Sequence, residues 1–245
     1  MKTTLLCCIL LLLSALDLRS ENDIQIGKFS SGDLIGWKEK SIFNTKKTIY
    51  SFVQDNGKTV LMGKSNNSAS GLIYKIDLDP KANPIISWSW KIDHTVKNGN
   101  EKIKEGHDFA ARLYVVFPRG FFLRTRAIEY VWGNVMHKGA TLRSPYSNNA
   151  DMIVMDSGEQ MAGSWTFHQR NVYEDYRKSF GEEPPRIGAI AIMTDSDNTH
   201  ESAMGYYGDI NILAAPKEKE LKNKESFHKE QPNGNGLPIP SPAAP

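Results

Sequence analysis

The stretch Ile85-Ile86-Ser87-Trp88-Ser89-Trp90-Lys91-Ile92 decides the fold. Ile86, Trp88, Trp90 and Ile92 fall on one side of an extended chain, and Ser87, Ser89 and Lys91 on the other. Side chains of a strand alternate between faces, so the stretch predicts a strand with one buried and one polar face, the habit of antiparallel sheets. Residues 108–117 repeat the rhythm. Phe109, Ala111, Leu113, Val115 and Phe117 point one way, and Asp108, Ala110, Arg112, Tyr114 and Val116 the other. Residues 127–132 do so again, with Ile128, Tyr130 and Trp132 on one side. The apolar faces place Trp88, Trp90 and Trp132 in a core; Trp37 and Trp165 are not assigned by this pattern.

Working outward, residues 48–53 and 59–62 are rich in β-formers and flank Gln54-Asp55-Asn56-Gly57-Lys58. Asn-Gly is a favoured hairpin turn, so these two runs pair. Residues 71–76, 152–155, 164–168, 187–194 and 206–213 bring the total to about ten strands. Short strands with Gly, Asn and Asp between them predict an all-β fold, an antiparallel jelly-roll β-sandwich. One segment departs from period two. Val172, Tyr173, Tyr176 and Phe180 stand at helical spacings, and Gly181 with Pro184-Pro185 stops the run. A single short helix is expected near residues 170–180.

The ends have other compositions. Met1-Lys2 is followed by the apolar run Leu5 to Leu13 and then by Ser14, Ala15 and Ser20. A basic start, a short apolar centre and a small-residue exit describe a signal peptide over residues 1–20, with cleavage after Ala15 or Ser20. Nine apolar residues fall short of the roughly 20 that cross a bilayer. Both cysteines, Cys7 and Cys8, lie in this leader, so the mature chain is expected to carry no thiol. Acylation of Cys7 or Cys8 is the alternative, but Leu6 stands where a small residue is usual. Residues 215–245 mix two clusters of charge with Pro and Gly and hold few large apolar side chains. Such a segment buries too little surface to offset its ordering entropy and reads as a disordered tail. The β-sandwich is then expected over residues 21–214. Removing the leader leaves 28 basic against 27 acidic residues. A nearly neutral chain offers no electrostatic case for nucleic acid or an anionic membrane.

Six phrases stand in order along the chain: Ser68-Ala69-Ser70-Gly71-Leu72, Trp88-Ser89-Trp90, Asp108-Phe109-Ala110-Ala111-Arg112, Tyr130-Val131-Trp132-Gly133, Asp175-Tyr176-Arg177-Lys178-Ser179-Phe180-Gly181 and Thr194-Asp195-Ser196-Asp197-Asn198-Thr199. Together they resemble a family of bacterial exported proteins known as a domain of unknown function, over roughly residues 29–213. The resemblance implies a Gram-negative, periplasmic or secreted setting and no particular activity. A second resemblance is to jelly-roll carbohydrate-binding modules. Phe29-Ser30-Ser31-Gly32-Asp33-Leu34-Ile35-Gly36-Trp37 is similar to their opening, and Tyr206-Tyr207-Gly208-Asp209-Ile210 to their closing strand. It implies that the two end strands pair and that Asp209 helps to hold a structural calcium. Ser30 stands where that arrangement wants a carboxylate.

Two groups of residues are candidate sites. Asp195, Asp197, Asn198 and Thr199 place four oxygen-bearing side chains within five residues, a donor set suited to a hard cation such as calcium. The competing reading is an Asx-rich turn whose side chains bond their own backbone. Asp108, Arg112, Tyr114 and Glu129 lie on strand faces and could hold a sugar or a carboxylated glycan through planar donors, carboxylates and a ring; the plain alternative is a solvated face with a cross-strand ion pair. The histidines form no metal motif, and no Gly-x-Ser-x-Gly is present. The leading expectation is a non-catalytic binding module for a glycan or envelope polymer. The alternatives are a polysaccharide lyase or hydrolase using His107, Glu129 or His168, and an envelope scaffold that meets a protein partner through its C-terminal tail.

Overall fold

A computed structural model describes residues 23–120 and 124–215. The expected leader and residues 216–245 of the expected tail lie outside the described residues. Among the described residues the strands are β1 (Ile24–Gly27), β2 (Trp37–Ser41), β3 (Ile49–Asp55), β4 (Lys58–Asn66), β5 (Ala69–Leu78), β6 (Ile85–Ile92), β7 (Arg112–Phe117), β8 (Arg126–Gly133), β9 (Thr141–Ser144), β10 (Ser147–Ser157), β11 (Thr166–Asn171), β12 (Ile187–Asp195), β13 (Ser202–Tyr207) and β14 (Ile210–Leu213), with one α-helix, α1 (Val172–Phe180). No helix among the described residues is long and apolar enough to cross a membrane.

The strands form a jelly-roll β-sandwich of two seven-stranded sheets. The first runs β1-β14-β6-β13-β4-β3, with β11 also paired to β6; the second runs β2-β5-β12-β7-β8-β10-β9. The end strands β1 and β14 pair with each other, as the likeness to the carbohydrate-binding modules implied. All pairs are antiparallel except β8 with β10, which run parallel, so the expectation of a purely antiparallel sandwich is corrected at that pair. Parallel neighbours need a crossover, and the excursion through β9 supplies it.

Alternation fills the core. Ile86, Trp88, Trp90 and Ile92 of β6 meet Leu113, Val115 and Phe117 of β7 and Ile128, Tyr130 and Trp132 of β8 in one continuous apolar cluster. Trp88 packs on Trp90 and Tyr130 at ring separations of 5.4 and 5.0 Å, within the range in which aromatic pairs add to area burial. Phe109 does not join this core. It lies before β7 and packs with Val131, Ala140, Met152 and Val154 in a smaller cluster on the other side of the second sheet. The expected strand over residues 108–117 therefore starts at Arg112, and Asp108 does not share a strand face with it.

Helix α1 forms where its spacing places it. The Asn171 side chain accepts a hydrogen bond from the Glu174 amide, Glu174 and Asp175 sit in the first turn, and Gly181 closes the helix in the left-handed region at φ 70°. Asp175 turns inward and accepts from the Tyr130 hydroxyl at 2.8 Å, which pins the helix to β8.

Candidate functional site

The face of the second sheet that points away from the core carries the site. Alternation puts Arg112 and Tyr114 of β7 on it, because Leu113 and Val115 point inward. Glu129 of β8 lies directly opposite Tyr114, and Met193 of β12 directly opposite Arg112. A cavity of about 310 Å³ opens there, with a wall completed by His107, Ser144, Tyr146, Asp195, Asp197 and Asn198. Ala69 and Ala150 also line it, and their short side chains leave the space open.

Arg112 is the centre of the wall. Its guanidinium pairs with the Asp195 carboxylate, and both side chains are almost wholly buried. It stacks 4.8 Å from the Phe109 ring centre and 5.6 Å from that of Tyr114. Its Nη1 donates to His107 Nδ1 at 3.3 Å. A guanidinium has only N–H groups to offer, so Nδ1 must accept, and the imidazole proton resides on Nε2. Burial and the Arg112 charge push His107 down to about 3, so the ring is neutral at physiological pH.

Three buried polar atoms of this wall have no hydrogen-bond partner: His107 Nε2, Arg112 Nε and Glu129 Oε2. Such atoms are nearly always satisfied in folded proteins, so three around one cavity mark a place built for a ligand or ordered water. Glu129 is 4% exposed. Burial raises its carboxyl to about 7, against the pull of Arg112 and with a further push from Asp151. Burial also raises the Tyr114 phenol, which stays protonated. At the rim Tyr146 is 53% exposed. Its ring lies 5.2 Å from that of His107, and its hydroxyl accepts from Asn198 Nδ2 at 2.6 Å.

The candidate sets are thus partly merged and partly separated. Arg112, Tyr114, Glu129, Asp195, Asp197 and Asn198 border one cavity. Asp108 is buried beneath the loop after β12. It accepts from the Asn198 amide, the Thr199 amide and the Thr199 hydroxyl. Carboxylate oxygens of Asp108, Asp195 and Asp197 lie within 4.8 Å of one another. Asp108 is engaged by the loop, however, and Asp195 by Arg112 and the Phe109 amide. The turn reading of this aspartate loop therefore has the observed hydrogen bonds on its side. Asp209 is elsewhere. It accepts from Gln25 Nε2, the Ser30 amide and the Ser30 hydroxyl at the β1–β14 closure, and so is removed from the aspartate group. His168 is also remote, buried against Trp88 and Trp90 with Nε2 2.6 Å from Asp156 Oδ2.

Sequence reasoning missed Tyr146, which lies in the turn between β9 and β10, outside any alternating run. A second cavity, of about 440 Å³, is bordered by Asp55, Lys58, Ser89, Trp165 and Asp209. Its carboxylates are already satisfied: Asp55 by Trp165 Nε1 and Lys91 Nζ, both at 2.5 Å, and Asp209 by Ser30 and Gln25. The unpaired atoms set the first cavity apart.

Over residues 35–211 the chain matches the family described as "Protein of unknown function (DUF3047)". No curated protein matches it. Among solved structures it is similar to the module CBM27-1 of Caldicellulosiruptor saccharolyticus, crystallised with mannohexaose, at 13% identity and a TM-score of 0.41, covering 79% of this chain and 98% of that one. It is also similar to the family 30 carbohydrate-binding module of a Clostridium thermocellum cellulosomal cellulase, at 12% identity and a TM-score of 0.42, covering 80% and 99%. These overlaps are loose, and no residue of the cavity is assigned from them.

Proposed function

We propose, for a chain that belongs to the DUF3047 family of proteins of unknown function, that it is a non-catalytic glycan-binding β-sandwich acting in the periplasm or outside the cell. One observation carries this reading: His107 Nε2, Arg112 Nε and Glu129 Oε2, all buried and unpaired, border a single cavity. His107 and Arg112 present N–H donors, and Glu129 presents a carboxyl oxygen. Sugar hydroxyls both donate and accept, so one ring can satisfy donors and acceptor together. The Tyr146 ring at the rim offers an apolar face for the ring carbons. The volume of about 310 Å³ is at the small end of the ~300–1,000 Å³ range of ligand pockets, which suits one or two sugar residues or a chain end.

The aspartate loop serves this site as its support. Asp195 orients Arg112, Asp108 holds residues 198 and 199, and Asn198 positions Tyr146. On this reading no metal is needed to shape it.

One observation favours turnover instead. A carboxyl raised to about 7 beside other carboxylates is the profile of a general acid. His107 is a poor base at a pKa of about 3, and His168 does not reach the cavity. A hydrolase would therefore rest on Glu129. A glycan array combined with reducing-end and unsaturated-product assays separates the readings. Retention without product is the expected result. Product formation that Glu129→Gln abolishes would establish an enzyme, and neither retention nor product would end the glycan reading.

A further inference from the structure

Resting on the glycan-binding reading, we infer that the pocket selects sugars bearing a free amine, carried as an ammonium, over neutral sugars and over uronates. The charge inventory of the wall points there. Arg112 is the lining cation, and Asp195 already neutralises it. Asp197 and Glu129 remain as acids without a cation of their own among the lining residues. A carboxylated sugar would add negative charge to this surplus. It would also have to share the Arg112 terminal nitrogens, which already donate to Asp195 and His107, and would meet only Nε as a wholly free N–H of that side chain. An ammonium instead brings three donors and a positive charge to acceptors that lack both.

Glu129 Oε2 is the atom on which the inference turns, because it is buried, unpaired and on the cavity wall. The groups around it are Arg112 and Tyr114 on β7, Asp195 on β12, Asp151 on β10 with its partner Arg143 on β9, and His107 and Asp197 from the loops. An arriving ammonium favours the ionised form of Glu129. Binding therefore ionises Glu129, whose proton passes to the sugar amine where that arrives unprotonated and to solvent where it is already an ammonium; for an amine already charged, binding weakens as pH falls from 7 towards 5. A metal ion is a less suitable cation for the same place, because Asp108 and Asp195 already spend their oxygens on the loop and on Arg112.

The test uses the full chain and three matched probes: glucosamine oligomers, their N-acetylated forms and oligogalacturonate of equal length. Calorimetry at pH 7 and pH 5 reads affinity and proton release. The expected order is glucosamine first, by about tenfold or more over the N-acetylated form, the worth of one charge-assisted hydrogen bond. That advantage shrinks at pH 5 and is lost in Glu129→Gln, whose melting curve shows whether it folds. If the variant does not fold, the ligand series on the native chain decides alone. Equal binding of amine and N-acetylated oligomers, or tighter binding of oligogalacturonate, overturns the amine selectivity while leaving glycan binding intact. Failure of all three to bind overturns the amine selectivity, and the glycan reading falls with it where the glycan array is also blank.

Discussion

Glu129 shows what a binding residue costs the fold that carries it. Its carboxyl is raised by burial from about 4.5 in the unfolded chain to about 7 in the folded one. Between those values the folded state holds the proton more tightly, so stability falls as pH rises from about 4.5 to 7. Glu129→Gln keeps the shape and removes the ionisation. The variant should be more stable than the native chain at pH 8 and about equal to it at pH 4.5, as read from urea midpoints at both pH values. A native chain that is the more stable at pH 8 would mean that Glu129 has a cationic partner in the free protein. Arg112 behaves in the opposite way. The sequence offers Arg112 as a glycan contact or as part of a solvated ion pair, but it is buried in an ion pair with Asp195. Removing it strands a buried carboxylate, a change that typically costs about 3–5 kcal/mol. Arg112→Ala thus tests folding as much as binding, and Glu129→Gln is the better probe.

At the level of elements, legibility followed burial. Strands β6 and β7 alternate between large apolar residues in the core and smaller or polar ones, and β8, although residues 128–133 are all buried, sets Ile128, Tyr130 and Trp132 against Glu129; Trp88, Trp90 and Trp132 therefore fell where the alternation put them. Strand β2 was not legible, because it is an edge strand in which Trp37 alone is buried and four exposed residues follow. The pairing of β10 with β8 was hidden for the converse reason. Residues 150–156 are buried on both faces, which erases the alternation that signals direction or partner. Half of the site was readable for the same cause: Arg112, Tyr114 and Glu129 lie on alternating strands, whereas His107, Tyr146 and Asp197 come from loops whose meeting is a matter of topology. Helix α1 was read from spacing and a stop signal, and its start rests on the Asn171 cap. Asn171→Ala should cost about 1 kcal/mol, the usual worth of such a cap. Because Asp175 ties α1 to Tyr130, the loss should register in global unfolding by urea rather than as local fraying. A change confined to hydrogen exchange within residues 172–180 would show that the helix opens independently.

On the scale of the whole molecule, the phrases that identified the family are the contacts that join distant parts of the chain. Asp108 and Phe109 dock on residues 195–199, Ser68 accepts from the Ser196 amide, and Tyr130 holds Asp175. The ends are joined too. Asp209, at the turn into β14, accepts three hydrogen bonds from Ser30 and Gln25 beside β1. Ser30 stands where the resemblance to carbohydrate-binding modules wants a carboxylate for calcium, and here its amide and hydroxyl reach Asp209 directly. A second carboxylate at that place would repel Asp209 unless a cation lay between them; a serine donates to it and needs none. The aspartate loop follows the same logic, with Arg112 and backbone amides as the positive partners of Asp195 and Asp108. The fold should therefore melt at the same temperature with calcium as with chelator, since only a ligand of the folded state raises stability. Asp209→Ala should lower stability by about 1 kcal/mol in both conditions, the usual net worth of hydrogen bonds whose exposed donors can turn to water. Two departures would locate a metal. A calcium-dependent rise of several degrees that Asp209→Ala removes would put the ion at the joined ends. A rise that survives Asp209→Ala and is lost in Asp197→Asn would put it in the aspartate loop, beside the pocket it would then help to shape.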